Sequence, residues 1–78
     1  MQEDALSLAE VLREFRQERG LSKRALSQRA GLSASYVGKL EAGEIEPSIK
    51  AFVAISRALK LSEREVMFCI RCAFVGNQ

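Results

Sequence analysis

The sequence predicts an all-α fold: a compact five-helix domain without a sheet. Three observations carry that expectation. Apolar residues recur at three- and four-residue spacing along most of the chain, and no segment sustains alternation. Gly20, Gly31 and Gly43, with Ser22, Ser33 and Ser62, fall where helices would stop and start. Seventy-eight residues at 47% apolar supply one modest core, but not a core plus a separate catalytic cleft.

The elements follow in order. Residues 1–4 are expected to fray. Helix one spans about Ala5 to Arg19, with Leu8, Val11, Leu12 and Phe15 on one face and Gly20 as the stop. Ser22 caps helix two, about Lys23 to Ala30, and Ser33 caps helix three, about Ala34 to Ala42, which Gly43 ends. Glu44 to Pro47 form a loop, and Pro47 suits the entry to the next helix because no backbone donor is missed there. Helix four, about Ser48 to Leu59, is expected to bury Ile49, Phe52, Val53, Ile55 and Leu59. Helix five runs from about Glu63 to Phe74, with Ser62 and Glu65 forming a capping box.

The segment KRALSQRAGLSASYVGKL, Lys23 to Leu40, is the most informative. Leu26, Ala30, Leu32, Val37 and Leu40 form an apolar seam between two short helices. Ser27 is small where the second helix must come close, and Gly31 can take the positive φ of an abrupt helix end. Two helices crossing steeply about a three-residue turn make a helix-turn-helix, whose second helix enters the DNA major groove.

Charge distribution agrees. Residues 1–10 carry three acids and no base, residues 11–40 seven bases and two acids, and residues 41–78 balance at zero. The positive charge thus sits on the helix-turn-helix and the helix before it, a footprint suited to a polyanion.

Leu12 to Leu61 resembles the Cro/phage-repressor-type (Xre) helix-turn-helix domains. The resemblance rests on LREFRQERGLS, KRALSQRAGLSASYVGKLEAGE and PSIKAFVAISRALKLS, in that order and spacing, over roughly two thirds of the chain. It implies a lambda-repressor-like domain with the helix-turn-helix at helices two and three, acting on double-stranded DNA as a transcriptional regulator. Carried over, Ala34, Ser35 and Lys39 match base-contacting positions. A lysine can donate to guanine, a serine to several bases, and an alanine can touch a thymine methyl. Lys23 matches the phosphate contact at the start of helix two; on the sequence's own pattern Tyr36 is a further phosphate candidate, and Arg24 and Arg29, exposed by periodicity, are weaker ones. Arg16 and Glu41 match an internal ion pair. The chain departs from the pattern at Glu44 and Glu46, acids in a loop where bases often meet phosphate.

Helix five carries Val66, Met67, Phe68, Cys69 and Ile70 in succession, which covers every side of a helix. Part of that belt needs a partner, and a homodimer is expected. Phe68 and Phe74 are placed on the outer side and Ile70 is counted in the interface, although Met67, Ile70 and Leu61 can serve the inner side. A dimer would favour a near-palindromic operator, and the leading expectation is a dimeric repressor or a small autoregulator, such as a restriction-modification controller. Residues 1–78 then form one domain, with a core at about 5–61 and helix five for dimerisation.

Other classes are weaker. Cys69 and Cys72 supply two thiols, and without histidine no zinc set is complete, so no metal or cofactor is expected. No enzyme is expected, since the sequence offers no histidine, carboxylate pair or phosphate-cradling loop. The acidic start and short apolar runs give no signal peptide or membrane span, which points to the cytoplasm, and no small-molecule ligand is evident. Two alternatives remain. One is the antitoxin of a toxin–antitoxin pair, marked by a neighbouring toxin reading frame. The other is a helical protein-interaction module without DNA binding, which would want a more apolar surface at 34, 35, 36 and 39.

Overall fold

The computed structural model describes residues 6–74, and side chains through residue 73. Five helices follow one another: α1 (Leu8–Glu18), α2 (Lys23–Arg29), α3 (Tyr36–Glu41), α4 (Ile49–Leu59) and α5 (Glu63–Phe74). No strand occurs among the described residues. The expected order and number of helices are those found.

Helix ends differ from expectation by more than one residue in two places. α1 starts at Leu8 because Ser7 forms a capping box with Glu10, at 3.1 and 3.0 Å. α3 starts at Tyr36, and its N-cap is Ser35, whose side chain makes no capping bond. Ser33 instead closes a turn, its carbonyl accepting the Tyr36 N–H at 3.0 Å, so the chain enters α3 through a turn rather than through the expected Ser33 side-chain cap. Elsewhere Ser22, Ser48 and Ser62 accept from the third residue onward at 3.0–3.1 Å, each satisfying a first-turn donor.

The core joins Val11 and Leu12 of α1, Leu26 of α2, Val37 and Leu40 of α3, Ile55 and Leu59 of α4, and Cys69 of α5. The inner face of α4 is the expected one at Phe52, Ile55 and Leu59 but not at Ile49 and Val53. Ile49 is 84% and Val53 41% exposed, whereas Ala51, Ile55, Ser56 and Leu59 are buried. Residues two apart on a helix point about 200° apart, so burying the 51–55–59 stripe turns 49 and 53 outward. Small Ala51 and Ser56 let α4 lie close to its neighbours, among them α2.

A similar correction applies to α5. Met67 and Ile70 do not serve the inner side: they are exposed together with Phe68. The inner stripe runs through Val66, Cys69, Cys72 and Ala73, with Cys69 fully buried against α1 and its neighbours. The Phe74 side chain lies outside the described residues.

Candidate nucleic-acid interface

α2 and α3 are locked by one serine. Ser27 is fully buried, and its Oγ accepts the Val37 N–H at 3.0 Å while donating to the Lys23 carbonyl at 2.9 Å. The hydroxyl therefore satisfies a first-turn donor of α3 from the body of α2. The turn between them is held by Gly31 at φ +74° and by the Leu32 N–H donating to the Ser27 carbonyl at 2.9 Å. Leu26, Val37 and Leu40 fill the seam at 1–2% exposure.

With that seam inward, Ala34, Ser35 and Lys39 are exposed on the opposite side of α3 and its entry turn. Lys23, Arg24 and Arg29 are exposed on α2. Lys23 lies beside α3: a Cβ built on Gly38 would stand 3.8 Å from the Lys23 Cδ. The first turn of α2 and the middle of α3 thus share one surface. Tyr36 is half-buried and packs against the core, so its ring serves the seam.

Arg16 and Glu41 meet across 25 residues. The Arg16 guanidinium donates from Nε to Glu41 Oε2 at 2.6 Å, from Nη2 to Oε1 at 3.0 Å and from Nη1 to the Leu21 carbonyl at 2.8 Å. Their side chains are 9% and 5% exposed. Glu41 is therefore neutralised inside the domain and sets no free negative charge beside Lys39. Glu44 and Glu46 are exposed in the following loop. Gly43 at φ +79° turns the chain away, and the Glu44 N–H donates to the Lys39 carbonyl at 3.0 Å.

Cys69 and Cys72 are free thiols. Burial pushes Cys69 up to about 11, helped by Cys72 and Glu65. Burial also raises Cys72, against the opposing pull of Arg71. Neither is a ready thiolate, and among the described residues no group of three or more His, Cys, Asp or Glu could hold a metal. Among them, too, no helix is long and apolar enough to cross a membrane.

Two features escaped the sequence reading. Ser27 was legible as small, but its paired hydrogen bonds depend on how α3 approaches. Arg19, which joins three helix ends, had no signal, because its partners lie 40 and 46 residues away.

Comparison with known proteins agrees with this fold. Residues 12–66 match the family model described as helix-turn-helix. The chain is 37% identical over 54 residues to an uncharacterized HTH-type transcriptional regulator, y4dL, of Sinorhizobium fredii, covering 69% of this chain and 28% of that protein. It is 30% identical over 73 residues to the HTH-type transcriptional regulator DdrOP3 of Deinococcus deserti, covering 94% of this chain and 55% of that protein. The chain thus spans little more than half of one relative and less than a third of the other. Among solved structures it is similar to the restriction-modification controller protein C.AhdI from Aeromonas hydrophila, with a TM-score of 0.71 and 35% identity over 81% of this chain and 96% of that one.

Proposed function

The chain belongs to the Xre/Cro-type helix-turn-helix family of transcriptional regulators, and from that premise we propose that it is a dimeric, sequence-specific repressor or autoregulator of double-stranded DNA. The observation that carries the reading is the surface made by α3 and α2. Ala34 and Ser35 in the entry turn and Lys39 on α3 stand exposed, the other face of α3 is pinned by Ser27, and Lys23 runs alongside at Gly38. Ser35 and Lys39 read base edges, Ala34 touches a thymine methyl, and Lys23 and Arg24 hold phosphate. Tyr36, packed on the seam, offers its hydroxyl to the backbone. The mostly polar make-up of this surface supports nucleic acid over a protein hot spot.

Assembly uses α5. Met67, Phe68 and Ile70 are 55%, 44% and 37% exposed on neighbouring turns. A second copy covers them, with residues 1–78 acting as one domain and α5 as its dimerisation helix. A two-fold dimer spaces the two recognition helices about 34 Å apart, one DNA turn, on a near-palindromic site.

Selection from a random duplex pool tests the reading, followed by sedimentation of the wild type and Phe68→Lys. A near-palindromic consensus, a dimeric wild type and a folded monomeric variant with weak half-site binding are expected. Enrichment of no sequence would overturn the DNA reading. A wild type that stays monomeric at high concentration would overturn the assembly.

A further inference from the structure

Arg19 is the C-cap of α1, and its guanidinium reaches two other helix ends. Its Nε donates to the carbonyl of Leu59, the last residue of α4, at 2.9 Å. Its Nη2 donates to Glu65 Oε1 in the first turn of α5 at 3.0 Å, and its Nη1 approaches Glu18 at 3.3 Å. The group lies over the Phe15 ring, 5.3 Å from its centroid. The same Glu65 oxygen accepts the Ser62 N–H at 2.9 Å, and the Glu65 N–H donates back to Ser62 Oγ at 3.1 Å.

The arrangement is coherent electrostatically. The carbonyl ends of α1 and α4 both favour a cation, and the amide end of α5 favours an anion. The Arg19 guanidinium meets the first two conditions and the Glu65 carboxylate the third, and the pair joins α4 to α5 across Lys60, the one described non-glycine residue with positive φ, at +57°. The Ser62 amide, then the Arg19 charge and bonds, lower the Glu65 carboxyl below its ordinary range, so the pairing persists to a more acidic pH than a free glutamate would allow. No contact with DNA explains this cluster, since Glu65 belongs to α5 rather than to the helix-turn-helix.

We propose that Arg19 and Glu65 are positioning residues that fix the angle of α5 against the helix-turn-helix body and so set which half-site separation the dimer accepts. The inference rests on the α5 assembly described above. If α5 carries the interface, its angle to α3 is copied by the two-fold axis into the separation of the two reading surfaces. A tilt of about 10° acting across the 26 Å breadth of the domain displaces its far side by roughly 4–5 Å, more than the ~3.4 Å rise of one base pair.

The test is binding of the full chain to duplexes whose half-sites are separated by one base pair more or fewer at each step. Wild type, Glu65→Gln, Arg19→Gln and Arg19→Lys are compared, each also on a single half-site. Glu65→Gln is the sharpest probe, because glutamine can still accept the Ser62 N–H and keep the capping box while losing its charge. Wild type should prefer one separation. In Glu65→Gln and Arg19→Gln that preference over the next separation should fall about tenfold, with half-site affinity unchanged. Arg19→Lys should not rescue, because an ammonium cannot hold the Leu59 carbonyl and the Glu65 carboxylate as a planar fork does. Unchanged separation preference in both neutral variants would overturn the proposal alone. Equal losses on half-sites and full sites would also overturn it, reducing the cluster to a fold-wide role. A wild type indifferent to separation would overturn the assembly reading too, and that outcome is visible before any substitution is made.

Discussion

Glu41→Ala is expected to be among the most damaging single changes in the chain, although Glu41 offers nothing to DNA. The substitution strips Arg16 of two of its three hydrogen bonds and of its countercharge, leaving a guanidinium 9% exposed with only the Leu21 carbonyl. Removing one partner of a buried pair costs about 3–5 kcal/mol. A domain of this size has roughly 4–12 kcal/mol in total. With a urea slope of about 1 kcal/mol/M, the midpoint should fall by about 3–5 M. Replacing both partners, Arg16→Met with Glu41→Leu, removes the stranded charge and should cost less than Glu41→Ala alone. Urea unfolding of Arg16→Met, Glu41→Leu and their double, followed by circular dichroism, measures the coupling. Singles that sum to the double within about 0.5 kcal/mol would refute the reasoning.

The remaining expectations concern the reading surface and the thiols. Lys23→Ala should weaken binding to all sequences alike and reduce the salt slope by about one, while Ser35→Ala and Lys39→Ala should each cost about 1–3 kcal/mol on the preferred site and less on random DNA. Titrations at several salt concentrations on both DNAs separate these roles, and equal losses on both would make Ser35 and Lys39 backbone contacts. Gly38→Ala should stabilise the fold by up to ~1 kcal/mol, because helix propensity improves and the new Cβ meets only the Lys23 Cδ at 3.8 Å. It should weaken DNA binding, since the methyl would stand where the duplex approaches; a variant that melts higher and binds as well as wild type would sink that account. Cys69 should resist alkylation at pH 8 until the chain unfolds. Its thiol is raised from 9.0 to about 11 on folding, so the associated stability is present below pH 9 and is lost as pH rises through about 11; fast labelling of the folded chain would contradict this.

The helices and their order were legible because periodicity and punctuation agree in this chain. The spacing of Leu26, Val37 and Leu40 reported a seam that the structure closes. Faces were less legible where a helix is apolar on several sides. On α4, Ile49 and Val53 looked like core by composition, but Ala51 and Ser56 won because close approach to neighbouring helices needs small side chains. On α5, five consecutive apolar residues gave no phase, and Cys69 rather than Met67 or Ile70 took the centre. Of the surface at α3, the exposed positions could be listed in advance. The adjacency of Lys23 to Gly38 could not, because it depends on the crossing of α2 and α3.

α3 is six residues long. Helices shorter than about 12–15 residues are marginal in water on their own. The reading surface therefore has no existence apart from the core beneath it, and occupancy and folding draw on one equilibrium. Operator DNA at about 100 times its Kd would hold the folded state by a further 2.7 kcal/mol or so. A regulator built this way has two pools with different lifetimes. If the chain binds an operator as proposed, the bound pool should resist unfolding and proteolysis better than the unbound pool, which limited proteolysis with and without DNA would show.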